Sequence, residues 1–476
     1  MSAPQKPETK PAQFQGATTH LDLGDRFFHP VPAAKFPKHD IRFRNQRWAE
    51  QVGLGHIDAA DWTRHFAAFE ALPATLPEPI ALAYHGHQFR NYNPDLGDGR
   101  GFLFAQMIDQ TSGRLLDLGT KGSGRTPWSR GGDGKLTLKG GVREILATEM
   151  LEALGVDTSK TFSVVETGEA LMRGDEPSPT RSAVLVRLSH GHVRIGSFQR
   201  HAYLGDEDAV EALARHAAKH YLTELIADAP MAELAVELIK AVVKNTARTA
   251  AAWTAAGFVH GVLNTDNINI TGESFDYGPW RFLPQMDPEF TAAYFDDFGL
   301  YAFGRQPEAV LWNVSRLAEC FTPFAPQQDL SDALSAFDDV FNVALNVALS
   351  RRLGIAPEDG ARLETGYRLF PAMRKAGVPF EQVFFDCYGA SQATRRDIAK
   401  RTYADTPLAE LVADIAACDP ATGTTPDHAY FHGEQPCTML IEEVEYIWEA
   451  IAERDDWSRL ENKLSAIEMM RMAYKA

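Results

Sequence analysis

Cysteine is scarce in this chain and unpatterned. Four occur in 476 residues, Cys320, Cys387, Cys418 and Cys437. None are spaced as C-x-x-C, so neither a zinc site nor a disulfide scaffold is indicated, and a reducing cytoplasm is the expected location. Long hydrophobic runs are missing too: no apolar stretch approaches the roughly 20 residues that span a bilayer, so no membrane partner is expected. Positive charge is in short supply. With 47 Lys and Arg against 64 Asp and Glu, the formal charge is −17, which argues against a general nucleic-acid binder. The opening MSAPQKPETKPAQFQG has no apolar core of a signal peptide and no Arg-rich amphipathic pattern of a transit peptide. Residues 1–15 are expected to be a disordered polar lead-in. No internal repeat is visible. What is plentiful is apolar content, 45% of the chain, enough for two or three domains with sizeable cores.

Patterning divides the chain near residue 204. Before it, short apolar stretches at 101–107, 114–118, 162–165 and 183–188 alternate with Gly, Pro and Asp turns and read as strands. After it, residues 207–227, 231–256, 307–320, 330–353 and 438–453 place apolar side chains at three- and four-residue spacing and read as helices. The expected fold is α+β, with a smaller β-rich lobe over 16–204 and a larger, mainly helical lobe over 205–476. Protein kinases are arranged this way, as are many two-domain enzymes.

The most informative segment is His260-Gly261-Val262-Leu263-Asn264-Thr265-Asp266-Asn267, followed by Phe275-Asp276-Tyr277-Gly278. A kinase catalytic loop reads H-x-D-x-x-x-x-N, in which the Asp takes the substrate proton and the Asn holds metal. Counted from His260, the Asn falls on schedule at Asn267, whereas Val262 fills the Asp slot. Asp276 then stands where kinases place a metal-binding Asp. With Ile268 and Ile270 between them, Asn267 and Asp276 are expected on a short β-ribbon that aims both oxygens at one hard cation such as Mg²⁺. The bland alternative is a plain hairpin with polar turns.

Against the acidic background, Lys121, Arg125, Arg130, Lys135, Lys139 and Arg143 are interleaved with glycines. Surface charge explains most such runs, but Gly-rich basic turns also let backbone N–H groups close on phosphate. Leu96-Gly97-Asp98-Gly99-Arg100-Gly101 is either a hairpin turn or a phosphate loop. Lys121 ends a strand-like stretch and Glu144 lies on an apolar-faced helix, the residue types kinases use to hold phosphate and the lysine itself. Gly131-Gly132-Asp133-Gly134-Lys135 is a loop that could reach over a nucleotide. Arg187 and Arg194 are expected to face each other across a hairpin of 183–188 and 193–198, where like charges oppose unless an anion lies between them.

Taken in order, Tyr84-His85-Gly86-His87-Gln88-Phe89, Leu96–Arg100, Lys121–Pro127, Gly132-Asp133-Gly134, Val142-Arg143-Glu144, Arg187, Arg194, His260–Asn267, Asp276–Pro279, Gln306-Pro307 and Leu311-Trp312-Asn313 resemble the selenoprotein O family, also called the YdiU family, of protein-kinase-like adenylyltransferases. The resemblance covers roughly residues 80–320. It implies a kinase-like bilobal fold with ATP flipped, Mg²⁺ or Mn²⁺ as cofactor, and transfer of AMP to Ser, Thr or Tyr hydroxyls of proteins, the chain itself included. Gly97, Gly99, Arg100, Asp133 and Gly134 would then line the nucleotide. Lys121 would contact phosphate and pair with Glu144. Arg187 and Arg194 would grip the outermost phosphate, Asn267 and Asp276 would hold the metal, and Asp266 would accept the proton. Uridylyl transfer from UTP with Mn²⁺ and a catalytically silent nucleotide-binding scaffold are the rival readings. The family's C-terminal cysteine is absent from Met469–Ala476, so redox control through it is not expected.

Overall fold

The computed structural model describes residues 13–174 and 176–475. The lead-in expected over 1–15 therefore lies outside the described residues as far as residue 12. Internal contacts divide the chain into two units. The first comprises residues up to Ala83, Asp95–Gly141 and Lys160–His192; the second comprises Tyr84–Pro94, Val142–Ser159 and Val193 onward.

The first unit is built on an antiparallel sheet of nine strands among the described residues. Its order is Phe28–Pro30, Ile80–Leu82, Leu103–Ile108, Leu115–Lys121, Thr180–Ser189, Lys160–Leu171 and Asp40–Arg44, with Gly16–Ala17 and Leu136–Thr137 added at the sides. The strands outrun the apolar runs that signal them because polar residues continuing the ladder find partners. Glu166, for instance, accepts from Arg181 at 2.7 Å and from Arg42 at 2.7 Å. One face of the sheet is covered by Gln46–Gln51 and Ala59–Phe66. Trp62 stacks on Phe162 at 5.1 Å and its indole donates to Ser163 at 2.9 Å. A ring of this size buries 150–250 Å² and fixes its neighbours.

The second unit is largely helical. Met231–Ala256 runs for 26 residues and stops at Gly257, whose φ of +65° and whose neighbour Phe380, 2.6 Å from where a Cβ would sit, both require glycine. Its inner face, Ala251 and Ala255, packs with Leu345, Leu349 and Leu353 of the helix Phe337–Leu353. The stretch expected as one helix over 330–353 is two, Gln327–Ser335 and Phe337–Leu353, which turn at Ala336 so that Phe337 enters the core. A later helix, Ser458–Tyr474, sends Arg471 to Glu149 and Glu152 on the helix Leu138–Ala153.

One expectation fails outright. Residues 193–198 form no strand; Ile195–Tyr203 is a helix with Ile195, Phe198 and His201 buried. Gly191, at φ +89°, turns the chain out of the sheet, and Ser197 accepts the Arg194 N–H at 3.3 Å to start the helix. Arg187 therefore does not face Arg194 across a ladder; its partners are Gly119 and Thr161.

Candidate active site

In the first unit, Lys121 is buried at the end of Leu115–Lys121, opposite Leu185. Beyond it the chain folds into two glycine loops laid against each other: Gly124 N–H donates to the Gly134 carbonyl at 3.1 Å. A Cβ on Gly134 would lie 2.3 Å from Gly124, and φ there is +71°. Asp133 is held by both guanidinium nitrogens of Arg173, at 2.7 and 3.1 Å, and by the Lys135 N–H at 3.0 Å. Partial burial pushes its carboxyl up, but these donors outweigh it and keep the group below its ordinary range. Gly97 and Gly99 have a reason within the fold. Trp128 lies where their side chains would be, 2.3 Å from a Cβ at Gly97 and 2.9 Å at Gly99, and Ser129 donates to the Gly99 carbonyl at 2.7 Å. Arg100 beside them is exposed, and Arg187 is buried in mid-strand. The basic run does not act as one cluster: Lys135 pairs with Glu169 at 3.0 Å.

In the second unit the ribbon Phe258–His260 with Trp280–Phe282 closes the loop that carries Asp266, Asn267 and Asp276. The ribbon expected within that loop is absent. Thr265–Asn267 is a short 3-10 turn, and the following residues pair instead with the entry to Ile195–Tyr203, through Ile195 N–H to Ile268 O at 3.0 Å and Ile270 N–H to Val193 O at 3.1 Å. His260 is buried and joins both ends of the loop. Its Nδ1 accepts from the Val262 N–H at 3.3 Å, which leaves Nε2 to donate to the Phe275 carbonyl at 3.1 Å. Asn267 donates its amide nitrogen to the Val262 carbonyl at 3.0 Å. The amide oxygen is thereby the atom Asn267 presents, the donor a hard cation needs. Asp276, two residues past Ser274, is half-buried in the left-handed conformation at φ +62° between buried Phe275 and Tyr277. The Tyr277 hydroxyl is pinned by Ser274 at 2.7 Å and by Thr158.

Asp266 is buried, and its carbonyl accepts from Arg194 at 3.2 Å. Arg194 lies over Tyr84 at 4.3 Å and over Phe275 at 5.1 Å. Glu144 is buried on Leu138–Ala153. Among the described residues no group of three or more His, Cys, Asp and Glu could cage a metal. Asn267 and Asp276 offer oxygen donors of the kind Mg²⁺ takes alongside phosphate and water.

Four further residues brace the loop and went unread as such in the sequence. Asn264 accepts from Phe89 N–H at 3.0 Å and from the Tyr301 hydroxyl at 2.8 Å. Thr265 accepts from His87 N–H at 2.7 Å, and Asn313 donates to the Leu263 carbonyl at 2.7 Å. Gln306 clamps the ribbon, accepting from His260 N–H and donating to Phe258 O, both at 2.8 Å. The motifs Tyr84–Phe89, Gln306-Pro307 and Leu311–Asn313 are the signal that could have found them.

The family model described as "Protein adenylyltransferase SelO" matches residues 12–468 of this chain. The chain belongs to that SelO family. It is similar to a protein nucleotidyltransferase YdiU from Synechocystis sp., 40% identical over 91% of this chain and 94% of the relative. A Trichodesmium erythraeum protein of the same name is 38% identical over 94% of this chain and 96% of its own. Like them, this SelO-family chain is a nucleotidyltransferase. Its four cysteines are free and buried. Burial raises the thiols, Cys320 to about 12 and Cys437 to about 11. Among its described residues no helix is long and apolar enough to cross a membrane.

Proposed function

We propose that this chain is a protein adenylyltransferase with a kinase-like bilobal fold, transferring AMP from ATP to Ser, Thr or Tyr hydroxyls of proteins. The observation that carries the reading is the loop from His260 to Asp276. It keeps a presented oxygen at Asn267 and a carboxylate at Asp276, while Val262, which cannot take a proton, fills the kinase base position. The chemistry kept is phosphate and cation binding; the chemistry lost is the usual kinase deprotonation.

In the proposed reaction the acceptor hydroxyl oxygen attacks the α-phosphorus, the bond to the β-phosphate oxygen breaks, and pyrophosphate leaves. The hydroxyl proton passes to Asp266, whose position is fixed by Arg194 on its carbonyl and by the Asn264–Thr265 braces. Asn267 and Asp276 would hold Mg²⁺ or Mn²⁺, which when bound supplies charge neutralisation to the phosphates. Lys121 and Arg187 would add positive charge to the phosphates, and Glu144 would take the part of the glutamate that kinases set against such a lysine. Gly97, Gly99 and Arg100 would approach the nucleotide on a loop shaped by Trp128, with Asp133 and Gly134 beside it. Arg194, occupied by the Asp266 carbonyl and two rings, serves by holding the loop.

The test uses ATP labelled separately at the α- or γ-phosphate, with Mg²⁺ or Mn²⁺ and with the chain itself and a cell extract as acceptors. Protein label from α-labelled ATP alone is expected, and Asp276→Ala is expected to abolish it while the melting temperature holds. Label from γ-labelled ATP would mean phosphoryl transfer and overturn the reading. Stronger labelling from α-labelled UTP would make the chain a uridylyltransferase, and nucleotide binding without label would leave a scaffold.

A further inference from the structure

The two least buried large aromatic side chains among the described residues fall within one five-residue stretch. Phe298 is 92% exposed and Tyr294 86%, with Phe295 at 44% between them. Water-facing aromatics are common singly, but three within five residues make a patch that asks for a partner. The segment does not hang loose. Asp296 is buried, and its two carboxylate oxygens accept from Leu300 N–H and Tyr301 N–H, each at 2.8 Å. Gly299, at φ +60°, donates to the Asp296 carbonyl at 3.1 Å. Arg305 holds the carbonyls of Phe298 and Gly299 at 3.3 and 3.2 Å. A series of tight turns thus keeps the rings pointing outward.

The patch is tied to the catalytic loop. Phe295 packs on Phe89 at 5.8 Å, and Phe89 on Tyr301 at 5.0 Å. Phe89 N–H and the Tyr301 hydroxyl both end on Asn264, two residues before Asp266. Phe89 and Arg90 hold φ of +48° and +64°. Non-glycine residues adopt that region at a cost on the order of 1–3 kcal/mol, and sites where such strain persists are often functional. On the same turn as Phe298, Asp297 is exposed, whereas the exposed Arg90 and Arg305 nearby are both paired with Glu308.

We infer that Tyr294, Phe295 and Phe298 form the docking platform for the acceptor polypeptide, and that they select a segment carrying apolar and basic side chains next to the target hydroxyl. The chemistry matches on both counts. Aromatic side chains dominate the energetics of protein contacts, and an aromatic surface edged by a carboxylate attracts Lys and Arg by charge and by cation–π contact. Since Asn264 links this surface to Asp266, a segment seated on it lies next to the loop that is to receive the proton. The inference rests on the proposed adenylyltransferase reading and names the acceptor class for that reaction.

The test measures transfer from α-labelled ATP to peptides with a central Ser, Thr or Tyr flanked by Lys/Arg and Leu/Phe, or by Asp/Glu. The wild type is expected to favour the basic–apolar set. The double substitution Tyr294→Ser with Phe298→Ser is expected to raise KM for those peptides tenfold or more, leaving kcat, ATP affinity and melting temperature unchanged. Asp297→Lys, a second variant on the same turn, is expected to shrink the preference for basic over acidic peptides. Unchanged KM in the double variant, with wild-type transfer intact, would overturn the platform while sparing the adenylyltransferase reading. No transfer by the wild type to any peptide or protein would overturn both. Conversion of a dimer to a monomer by the double variant, with peptide KM unchanged, would assign the patch to self-association and overturn the inference.

Discussion

Replacing His260 by Phe isolates what holds the two halves of the His260–Asp276 loop together. The ring volume is kept, and so are the neighbours at Trp253, 5.7 Å away, and Tyr277, 5.9 Å away. What disappears is the acceptor for Val262 N–H and the donor to the Phe275 carbonyl. Leaving a buried polar group without its partner costs about 1–3 kcal/mol. The Val262 end is partly open to water and recovers some of its share, so the summed loss is about 2–4 kcal/mol. That is a sizeable part of a total stability of about 5–15 kcal/mol, yet not all of it, so the variant folds. Urea unfolding is expected to show a lower midpoint with the slope unchanged. The functional effect is larger than the stability effect, because Phe275 immediately precedes Asp276. Transfer from α-labelled ATP is expected to drop by about 10²-fold or more, the scale at which misplaced groups lose rate. Raising Mn²⁺ should recover part of it, since the carboxylate itself remains. Full activity together with an unshifted urea midpoint would refute the claim that His260 sets the position of Asp276.

Other consequences follow from residues away from that loop. Glu166 is pushed up by burial but held below its ordinary value of 4.5 by Arg181 and Arg42. Its stabilising contribution is present above that value and lost as pH falls through the lower folded one. Glu166→Gln should therefore cost about 1–3 kcal/mol at pH 7, with the gap to wild type closing in acid-unfolding curves below pH 4.5. Gly257→Ala places a methyl group near Phe380 at a φ of +65°. It should destabilise by more than about 1 kcal/mol in thermal melts, whereas a helix-interior Gly→Ala change usually gains that amount. Native protein treated with a thiol reagent should show no fast-reacting cysteine, because all four are buried and their thiolates disfavoured; prompt modification of Cys320 would contradict its burial.

Local pattern carries much of the fold. The helix Met231–Ala256 announces itself through its spacing and its terminal Gly257, and the strands through their apolar cores. It fails where a segment's fate is decided by distant partners. Residues 193–198 alternate briefly like a strand, yet Ile195, Phe198 and His201 serve one helix face. The candidate site divides in the same way. His260, Asn267 and Asp276 stand out by residue type and offset. Their braces do not, since Gln306, Asn313 and His87 act across 46, 50 and 178 residues, and no sequence window of helical or strand period spans such distances. Gly97 and Gly99 read as nucleotide-facing, but their need for glycine comes from Trp128.

The clasp of Arg471 on Glu149 has a consequence in time. The two residues are 322 positions apart. At ribosomal rates of about 5–20 residues per second, roughly 15–65 seconds separate their appearance. During that interval the helix Leu138–Ala153, which bears Glu144, exists without the cation that neutralises its buried carboxylate. A nascent chain thus carries the whole His260–Asp276 loop before this support is in place. The C-terminal support of this helix is thus the last part of it to be made.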